Sequence, residues 1–480
     1  MNSAYDVVIC GAGSAGVAAA YYLAINHQIT NVLIVDKHAP LSQTSAKSGE
    51  NIRNWWPTQP MIDLANRSFE LMEELMLASK NVFNLERQGY AYVTEDPSIL
   101  SGYLAHYRSL DVGDLRIHEP DQFDLQYEPP AATYTDNRIA GADILLDPWV
   151  IRQTFPHFSQ NVEAVIHARR AGSISAQQLG QYLLQEAKIW GAHFERATVV
   201  DVEVVDVKVV DVETTDGADT ADKATVKQVS AVIIQNTQGI HRIETRRFVN
   251  AAGPFANHIA QMLGQALPIT NIFQQKIAFQ DPLRVIPRNA PFTIFMDKQQ
   301  VNWSPEERRF LADDPTLAWM VGELPGGVHI KPEGGNDSTW LKLGWAYNQL
   351  GEEPLWEPNV NELFPELLMR AASRLVPQFK HYFNNIQQPL VHYGGYYTKT
   401  EENLPLIGPM GVDENFVSGA YMVGALSGFG TMMSCAAGEL LAKWVAHSAL
   451  PAYANIFSLE RYADPELIDV LKAQAKVGEL

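Results

Sequence analysis

Residues 5–36 read YDVVICGAGSAGVAAAYYLAINHQITNVLIVD and predict a strand, a glycine turn, a helix and a second strand. The opening YDVVIC is a short β-branched run, typical of a buried parallel strand. The long apolar run could be mistaken for a membrane span, but no Lys or Arg precedes it and glycines interrupt it. It therefore predicts neither a signal peptide nor an integral membrane segment.

Three glycines in this turn have the spacing of a dinucleotide-binding fingerprint. Gly11 would permit the tight turn, Gly13 would let a pyrophosphate approach the backbone, and Gly16 would let helix and strand pack closely. The phosphates would lie at the helix N-terminus, which attracts anions. Asp36 ends the second strand, where an acid binds a ribose hydroxyl. Because no Arg is adjacent to Asp36, FAD or NAD is favoured over NADP.

Composition and charge limit the class of protein. The 480 residues are 46% hydrophobic and 19% charged, which predicts a folded chain of two or three domains. The 36 basic and 55 acidic residues give a net charge of −19. This charge would repel nucleic acid and anionic membranes and favour a neutral or cationic small substrate. Two cysteines, Cys10 and Cys435, predict a reducing, cytoplasmic compartment.

Three later segments indicate a long cofactor with two ends. The polar loop PLSQTSAKSGENIRNWWP, residues 40–57, suits a second pass over a pyrophosphate and then a flavin ring. Residues 246–264, RRFVNAAGPFANHIAQMLG, predict a strand, a turn and a helix, and GALSGFG at 424–430 opens another helix. Helix starts led by glycines at opposite ends of a chain can bind two ends of one cofactor.

With these motifs, the chain resembles the D-amino-acid-oxidase-like FAD oxidoreductases, especially the sarcosine oxidase and dimethylglycine dehydrogenase branch. Further matches are RAGSISAQQLGQYLLQEAKIWGAHF at 170–194, GGVHIKPEG at 326–334 and GGYYTKTEENLPLIGP at 394–409. The segments follow the family's order over nearly the whole chain. Relatives that attach flavin covalently use a Cys before the last of these segments or a His in the polar loop that corresponds to residues 40–57. Neither is present, so the resemblance implies noncovalent FAD.

The resemblance implies an α/β fold in which a Rossmann-like FAD-binding domain is interleaved with a mixed-sheet substrate domain, as in the glutathione-reductase-type fold. The FAD-binding domain is expected at 1–80, 161–265 and 395–450, the substrate domain at 81–160 and 266–394, and a helical tail at 451–480. Between residues 197 and 249, Val alternating with Asp or Lys predicts half-buried antiparallel strands. The acidic run 215–223 predicts a solvated hairpin loop.

The resemblance also implies an FAD-dependent amine or amino-acid oxidase or dehydrogenase. It would oxidise a C–N bond of a secondary or tertiary amine or an amino-acid derivative by hydride transfer to flavin N5, and the imine would hydrolyse. Oxygen or an electron-transfer acceptor would reoxidise the flavin. Two alternatives stay open: FAD-dependent C–O oxidation of a hydroxy acid, and a non-catalytic FAD-bound assembly factor. No metal site is predicted.

The candidate site residues follow from the same resemblance. Lys276 matches a lysine near the flavin that activates oxygen, and Arg53 stands where relatives carry arginines facing the ring or substrate. Met432 replaces the lysine with which relatives bind the carboxylate of sarcosine, so a plain α-amino acid is disfavoured. The predicted substrate residues are Trp55, His329, Tyr396 and Tyr397, and Trp56 could share in an aromatic wall. The predicted cofactor residues are Gly11, Gly13, Ser14, Ala15, Gly16, Asp36, Lys37, Thr44, Ser45, Lys47, Ser48, Gly49, Val200, Ala252, Gly253, Gly428, Phe429, Gly430 and Thr431.

Overall fold

The computed structural model describes residues 2–120, 127–129, 140–208, 225–335, 337–383, 385–386, 388–412 and 415–475. The acidic run predicted as a hairpin loop lies outside them. None of the helices in these ranges is long and apolar enough to cross a membrane. The α-helices are Ser14–His27, Gln59–Ser79, Leu100–Tyr107, Pro148–Thr154, Ala176–Ile189, Ala256–Met262, Pro305–Asp313, Phe364–Leu375, Gly430–Val445 and Pro465–Ala475.

A six-stranded sheet carries the N-terminal glycine motif. All its pairs are parallel except the one at the edge formed by Leu406–Pro409. The buried runs VVIC and VLIVD suit central parallel strands that are covered on both faces. In spatial order the strands are Leu406–Pro409, Ala420–Gly424, Phe248–Asn250, Val7–Cys10, Val32–Asp36 and His193–Arg196.

A nine-stranded mixed sheet forms the second large layer. Seven of its strands lie within the predicted substrate ranges, whereas Ala164–Ala168 begins after residue 160 and Val391–Lys399 continues past residue 394. The predicted division into domains stays a prediction. In spatial order the strands are Val391–Lys399, Thr270–Gln280, Trp340–Trp345, Val328–Glu333, Phe292–Phe295, Tyr90–Thr94, Ala164–Ala168, Gly141–Leu145 and Asp114–His118.

The alternating segments form a separate small sheet, and one of them divides between two sheets. Thr198–Lys208, Thr225–Asn236 and Gly239–Glu244 pair antiparallel in this order, and Val417–Ser418 pairs parallel with the central strand. The continuation Phe248–Asn250, predicted as part of the last alternating strand, instead enters the parallel six-stranded sheet. Its three residues are fully buried, as a central parallel strand requires.

Two helices with small residues bring the ends of the chain together. Gly430–Val445 packs along Ser14–His27, and a Cβ on Gly438 would lie 2.7 Å from Ala18. The close approach therefore requires glycine, and the N-terminal ends of both helices reach the same region of the molecule. Together with the sheets, this arrangement confirms the α/β fold with parallel strands.

The C-terminal segment is more firmly attached than a surface tail. Arg461 is fully buried and binds the Glu402 carboxylate through Nε at 2.8 Å and Nη2 at 2.5 Å. The helix Pro465–Ala475 follows, with Ile468 and Leu471 buried. The predicted helix is present, and a buried ion pair joins the chain just before it to the region after the nine-stranded sheet.

Candidate active site

Three adjoining cavities follow one another between the six-stranded and nine-stranded sheets. The first has a volume of about 200 Å³, the second about 130 Å³ and the third about 290 Å³. The first and second share wall residues that include Gly13, Ser45 and Gly395. The second and third share Lys276 and Tyr397. The arrangement has room for an elongated cofactor with a smaller molecule beside one end.

The N-terminal glycines shape the junction of the first two cavities. Gly11 has φ +114°, and a Cβ there would lie 2.2 Å from the Ala251 carbonyl oxygen. A Cβ on Gly16 would lie 2.1 Å from the Gly11 carbonyl oxygen. Gly13 lines both cavities, and its Cβ would lie 3.1 Å from Ser45 Oγ. Glycine is thus required at position 11 for the turn and at position 16 for the packing of the helix against it. At Gly13, the volume that a side chain would fill is open to the two cavities.

Asp36 lies on the wall of the first cavity. One carboxylate oxygen accepts the Ala12 N–H and the other accepts the His38 N–H, both at 2.8 Å. These bonds hold the carboxylate in a fixed orientation on the cavity wall. Each oxygen retains a lone pair for a ribose hydroxyl, which is the role that the sequence predicts.

Two chain segments meet over the second cavity. Ser45 Oγ accepts the Ser14 N–H at 3.0 Å, and Thr431 Oγ1 donates to Ser48 Oγ at 2.8 Å. The second of these bonds joins the loop after the second parallel strand to the first turn of Gly430–Val445. Both helix N-termini therefore face one cavity, where their free N–H groups favour phosphate and a flavin that gains negative charge on reduction.

Most of the predicted cofactor residues line these cavities, and two do not. Gly16 contributes to packing beneath the turn. Val200 is 38% exposed and lies outside the cavities, whereas Val199 is buried and lines the first one. The pairing register shifts between Val199 and Asp201, so simple alternation of side chains does not hold at this point of the strand, and the role of Val200 in cofactor binding stays a prediction. The others line the cavities: Gly11, Gly13, Ser14, Ala15, Asp36, Lys37, Thr44, Ser45, Lys47, Ser48, Gly49, Ala252, Gly253, Gly428, Phe429, Gly430 and Thr431.

Arg53 supplies a buried cation to the third cavity. The strand Asn51–Arg53 places it beside aromatic rings, with its guanidinium carbon 4.4 Å from the Trp56 ring centre and 5.6 Å from that of Tyr90. Nη1 donates to the Tyr92 hydroxyl, while Nε is buried without a hydrogen-bond partner. A buried guanidinium with a free donor is suited to bind an anionic group.

Lys276 stands between the second and third cavities. It lies in the long strand Thr270–Gln280, is 6% exposed, and donates a hydrogen bond of 3.2 Å to the Lys47 carbonyl. Burial and the neighbouring Lys342 lower the pKa of Lys276 to about 8. At neutral pH the side chain is therefore still mainly protonated, but it can lose its proton within the range in which enzymes work.

His329 lies beside Lys276 and is neutral. Its Nδ1 is 3.1 Å from the Gly327 carbonyl oxygen, which can only accept, so Nδ1 carries the proton and Nε2 has a free lone pair. Burial and the charge of Lys276 lower the pKa of His329 to about 3. A Cβ on Gly344 would lie 2.2 Å from Nε2 and 3.0 Å from Lys276 Cγ. This glycine leaves space for both side chains.

The predicted substrate residues do not all lie in the same cavity. His329 and Tyr397 line the third cavity, whereas Tyr396 lines the first and second. Trp55 lines none of the three cavities: it is 1% exposed, stacks on Tyr107 at 4.2 Å, and donates to the Tyr103 hydroxyl. Trp55 is packed in the core, whereas Trp56, although 5% exposed, lines the third cavity. Its part in an aromatic wall stays a prediction. Met432 also lines the third cavity, as its position in the motif predicts.

Sequence reasoning missed a buried ion cluster next to the cavities. Lys342 lies 2.7 Å from Glu333 and 3.3 Å from Glu50, and Lys331 lies 3.2 Å from Glu333. Lys331 also donates to the Gly49 and Glu50 carbonyls at 3.3 Å. The cluster fixes the loop that lines the second cavity to the nine-stranded sheet. The available signal was a single lysine within each of two strand-forming segments, Lys331 in VHIKPE and Lys342 in WLKLGW.

The fold and the cavities together define a class of protein. The three cavities form one elongated channel. A parallel βαβ unit and two helix N-termini surround its first two cavities, and the third cavity holds a buried arginine, lysine and neutral histidine. This is the arrangement of a dinucleotide-dependent oxidoreductase. Among the residues that the structure describes, no group of His, Cys, Asp and Glu is arranged to hold a metal ion.

Comparison with known proteins identifies the family. Residues 6–444 match the FAD dependent oxidoreductase family DAO. The chain belongs to this family, its cofactor is FAD, and the channel described above fits that cofactor through its open Gly13 and its oriented Asp36.

Individual similar proteins share a low sequence identity with this chain or match only a short part of it. The sarcosine oxidase subunit beta of Arthrobacter sp is 38% identical over 74 residues, which is 15% of this chain and 18% of that protein. The crystal structure of glycine oxidase from Geobacillus kaustophilus has 18% identity and a TM-score of 0.66, covering 95% of this chain and 99% of its own. L-proline dehydrogenase from P. horikoshii has 18% identity and a TM-score of 0.65, covering 96% and 99%. These solved structures share the fold.

Proposed function

We propose that this FAD enzyme oxidises the C–N bond of an amino-acid derivative whose nitrogen is secondary or tertiary. The observation that carries the proposal is Arg53, a residue of the third cavity wall whose buried guanidinium has an Nε without a hydrogen-bond partner. Sarcosine and proline, which occur in the names of two similar proteins, are both N-substituted amino acids, and this supports the same class of substrate.

Arg53 would bind the carboxylate of the substrate. Charge-assisted hydrogen bonds are strong in a site that excludes water, and the rings of Trp56 and Tyr90 exclude it around the guanidinium. Met432, on the same cavity, supplies apolar surface where relatives have a lysine. The cavity is therefore suited to a carboxylate at one end and a bulky or apolar N-substituent at the other.

His329 would position the substrate nitrogen, and Lys276 would stabilise negative charge during reoxidation of the cofactor. The free lone pair of His329 Nε2 can accept a hydrogen bond from the substrate nitrogen. Because the pKa of His329 is low, the imidazole stays neutral and does not take a proton from the substrate amine. Lys276 reaches both the second and the third cavity. Its ammonium would stabilise the negative charge that forms when oxygen takes an electron from the reduced cofactor.

Bound flavin would supply the electron acceptor for the α-carbon hydride of the substrate. Loss of that hydride and, from a secondary amine, of the N–H proton leaves an imine. Water then adds to the imine and releases an amine and an aldehyde or keto acid. Noncovalent attachment of FAD is part of the proposal, because among the residues described around the second cavity neither a Cys nor a His lines the wall. Acid precipitation should therefore release all the yellow colour into the supernatant.

Product analysis tests the proposed reaction. The purified enzyme is incubated with N-alkyl amino acids of increasing bulk, with sarcosine, with unsubstituted D-amino acids and with 2-hydroxy acids. We expect the larger N-substituted amino acids to give an amine and a carbonyl product in equal amounts, and sarcosine and D-amino acids to react poorly. Turnover of the hydroxy acids alone would contradict the proposal and favour C–O oxidation.

A further inference from the structure

The segment that follows the strand Trp340–Trp345 crosses from one end of the channel to the other. Its beginning, with Ala346, Asn348 and Gln349, lines the third cavity. Its end, with Leu355, Trp356 and Pro358, lines the first cavity. Residues 346–358 are called the strap below. The strap starts in the nine-stranded sheet yet reaches the part of the channel that the N-terminal βαβ unit forms.

Trp356 is the residue by which the strap contacts the N-terminal unit. Its ring stacks on Phe255 with centres 3.9 Å apart and planes at 14°, and lies 4.8 Å from the ring of His38. The Lys37 ammonium lies 4.8 Å from the Trp356 ring centre. Lys37 and His38 directly follow Asp36, so Trp356 is packed beside the position predicted for the ribose.

The strap is held in this place by directed hydrogen bonds. The Glu352 N–H donates to the Asn271 carbonyl at 2.9 Å, and the Leu355 N–H donates to the Tyr396 hydroxyl at 3.0 Å. The Asn361 N–H, just beyond the strap, donates to Gln275 Oε1 at 2.7 Å. Trp356 is nevertheless 37% exposed, so part of its ring is open to a further group on the side of the first cavity, which it lines.

We propose that Trp356 closes the adenosine end of the FAD site and retains the cofactor by packing against the adenine. The first cavity has Asp36 for the ribose and apolar walls from Val199 and Phe255, and Trp356 covers its end. An adenine placed beside the ribose would bury apolar surface of Trp356 and lose contact with water. The proposal rests on membership of the FAD family and not on the proposed amine substrate.

Release of FAD from the holoenzyme tests this role. Trp356→Ala is expected to raise the dissociation constant of FAD roughly tenfold, about 1.4 kcal/mol, measured by the fluorescence of free flavin after dilution. Trp356→Phe should recover most of the affinity. Trp149→Ala, at a tryptophan that is 68% exposed and outside the three cavities, is the matched control and should retain FAD like the wild type.

Two further readouts separate cofactor retention from general damage. At the same saturating FAD concentration, Trp356→Ala should lose only the roughly 1.4 kcal/mol of stability that a tenfold weaker FAD binding accounts for. Its anaerobic rate of flavin reduction should stay close to the wild type, because Trp356 and Lys276 line different cavities. FAD release at the wild-type rate in Trp356→Ala would overturn the proposal. A loss of stability at saturating FAD well beyond that amount, together with weak binding in Trp356→Phe, would also overturn it, since Trp356 would then be a packing residue only.

Discussion

Lys276 Nζ and the Lys47 carbonyl oxygen, 3.2 Å apart, join the nine-stranded sheet to the loop that lines the second cavity. The bond orients the ammonium at the boundary between the second and third cavities. This position is the basis for the proposed role of Lys276 in the reaction of the reduced flavin with oxygen.

Lys276→Met is expected to slow reaction of the reduced flavin with oxygen by at least about tenfold, roughly 1.4 kcal/mol of barrier, and to change flavin reduction by substrate much less. The positive charge of Lys276 would stabilise the negative charge that forms when oxygen takes an electron from the reduced flavin, and it is not needed for flavin reduction by the substrate. Rapid mixing of the reduced enzyme with oxygen measures the rate. Lys298→Met, at an exposed lysine paired with Glu323, is the control. If the wild-type enzyme does not react with oxygen, the proposed role of Lys276 is wrong.

The same step should depend on pH. Because burial and Lys342 lower the pKa of Lys276 to about 8, the side chain is charged below this pH and neutral above it. The rate of oxygen reaction should therefore fall as the pH rises through about 8, and the Lys276→Met variant should lack this fall. An identical pH profile in both proteins would assign the titration to another group.

Arg53→Ala is expected to raise KM for an amino-acid derivative about ten- to a hundredfold, since a hydrogen bond to a charged group contributes roughly 1.5–3 kcal/mol. Arg53→Lys should recover only part of the loss, because it keeps the charge but not the planar fork. Arg170→Ala, next to the strand partner of Arg53 but outside the third cavity, is the control. A large fall in kcat with KM unchanged would show that Arg53 acts on the flavin ring instead.

Gly13→Val is expected to yield protein without FAD. A Cβ at this position lies 3.1 Å from Ser45 Oγ, and the two further methyl groups of valine would occupy the space of the pyrophosphate. The ratio of flavin to protein absorbance measures the loss. Gly102→Val, where a Cβ meets nothing within 4 Å, should keep its flavin. Full flavin content in Gly13→Val would place the cofactor elsewhere.

Arg461→Met is expected to lower stability by about 3–5 kcal/mol, because it leaves the buried Glu402 carboxylate without its cation. The change in the midpoint of denaturant-induced unfolding measures the effect. Arg242→Met removes an arginine that is 47% exposed and paired with Glu203 and Glu244, and it should cost at most about 1 kcal/mol. Equal effects of the two substitutions would show that the C-terminal segment is attached only loosely.

The local part of the site could be predicted from sequence, because its residues act within one βαβ unit. The spacing of Gly11, Gly13, Gly16 and Asp36 determines the turn, the helix start and the ribose position together. The direction in which a single side chain points was harder to predict from the sequence. Val199 lines the first cavity and Val200 does not, and Trp56 lines the third cavity while Trp55 lines none of the three. Each pair differs by one residue, at a bulge in the strand or in a segment outside the strands, where alternation cannot be read from the sequence.

The long-range part of the site could not be read from the sequence. Glu50 meets Lys342 only because the loop after the second strand lies against the nine-stranded sheet. Trp356 meets His38 only because the strap crosses the channel. Such contacts depend on how the two large sheets pack against each other, and no local pattern of residues encodes that packing.

Anaerobic mixing with substrate tests the central claim most directly. Oxidised FAD in the purified enzyme absorbs visible light and loses this absorbance on reduction. We predict that N-substituted amino acids bleach the bound flavin without oxygen, and that bleaching slows strongly in Arg53→Ala at the same substrate concentration. A flavin that stays oxidised with every amine of the panel, but is bleached by 2-hydroxy acids or by none of the compounds, would contradict the assignment as an amine-oxidising enzyme.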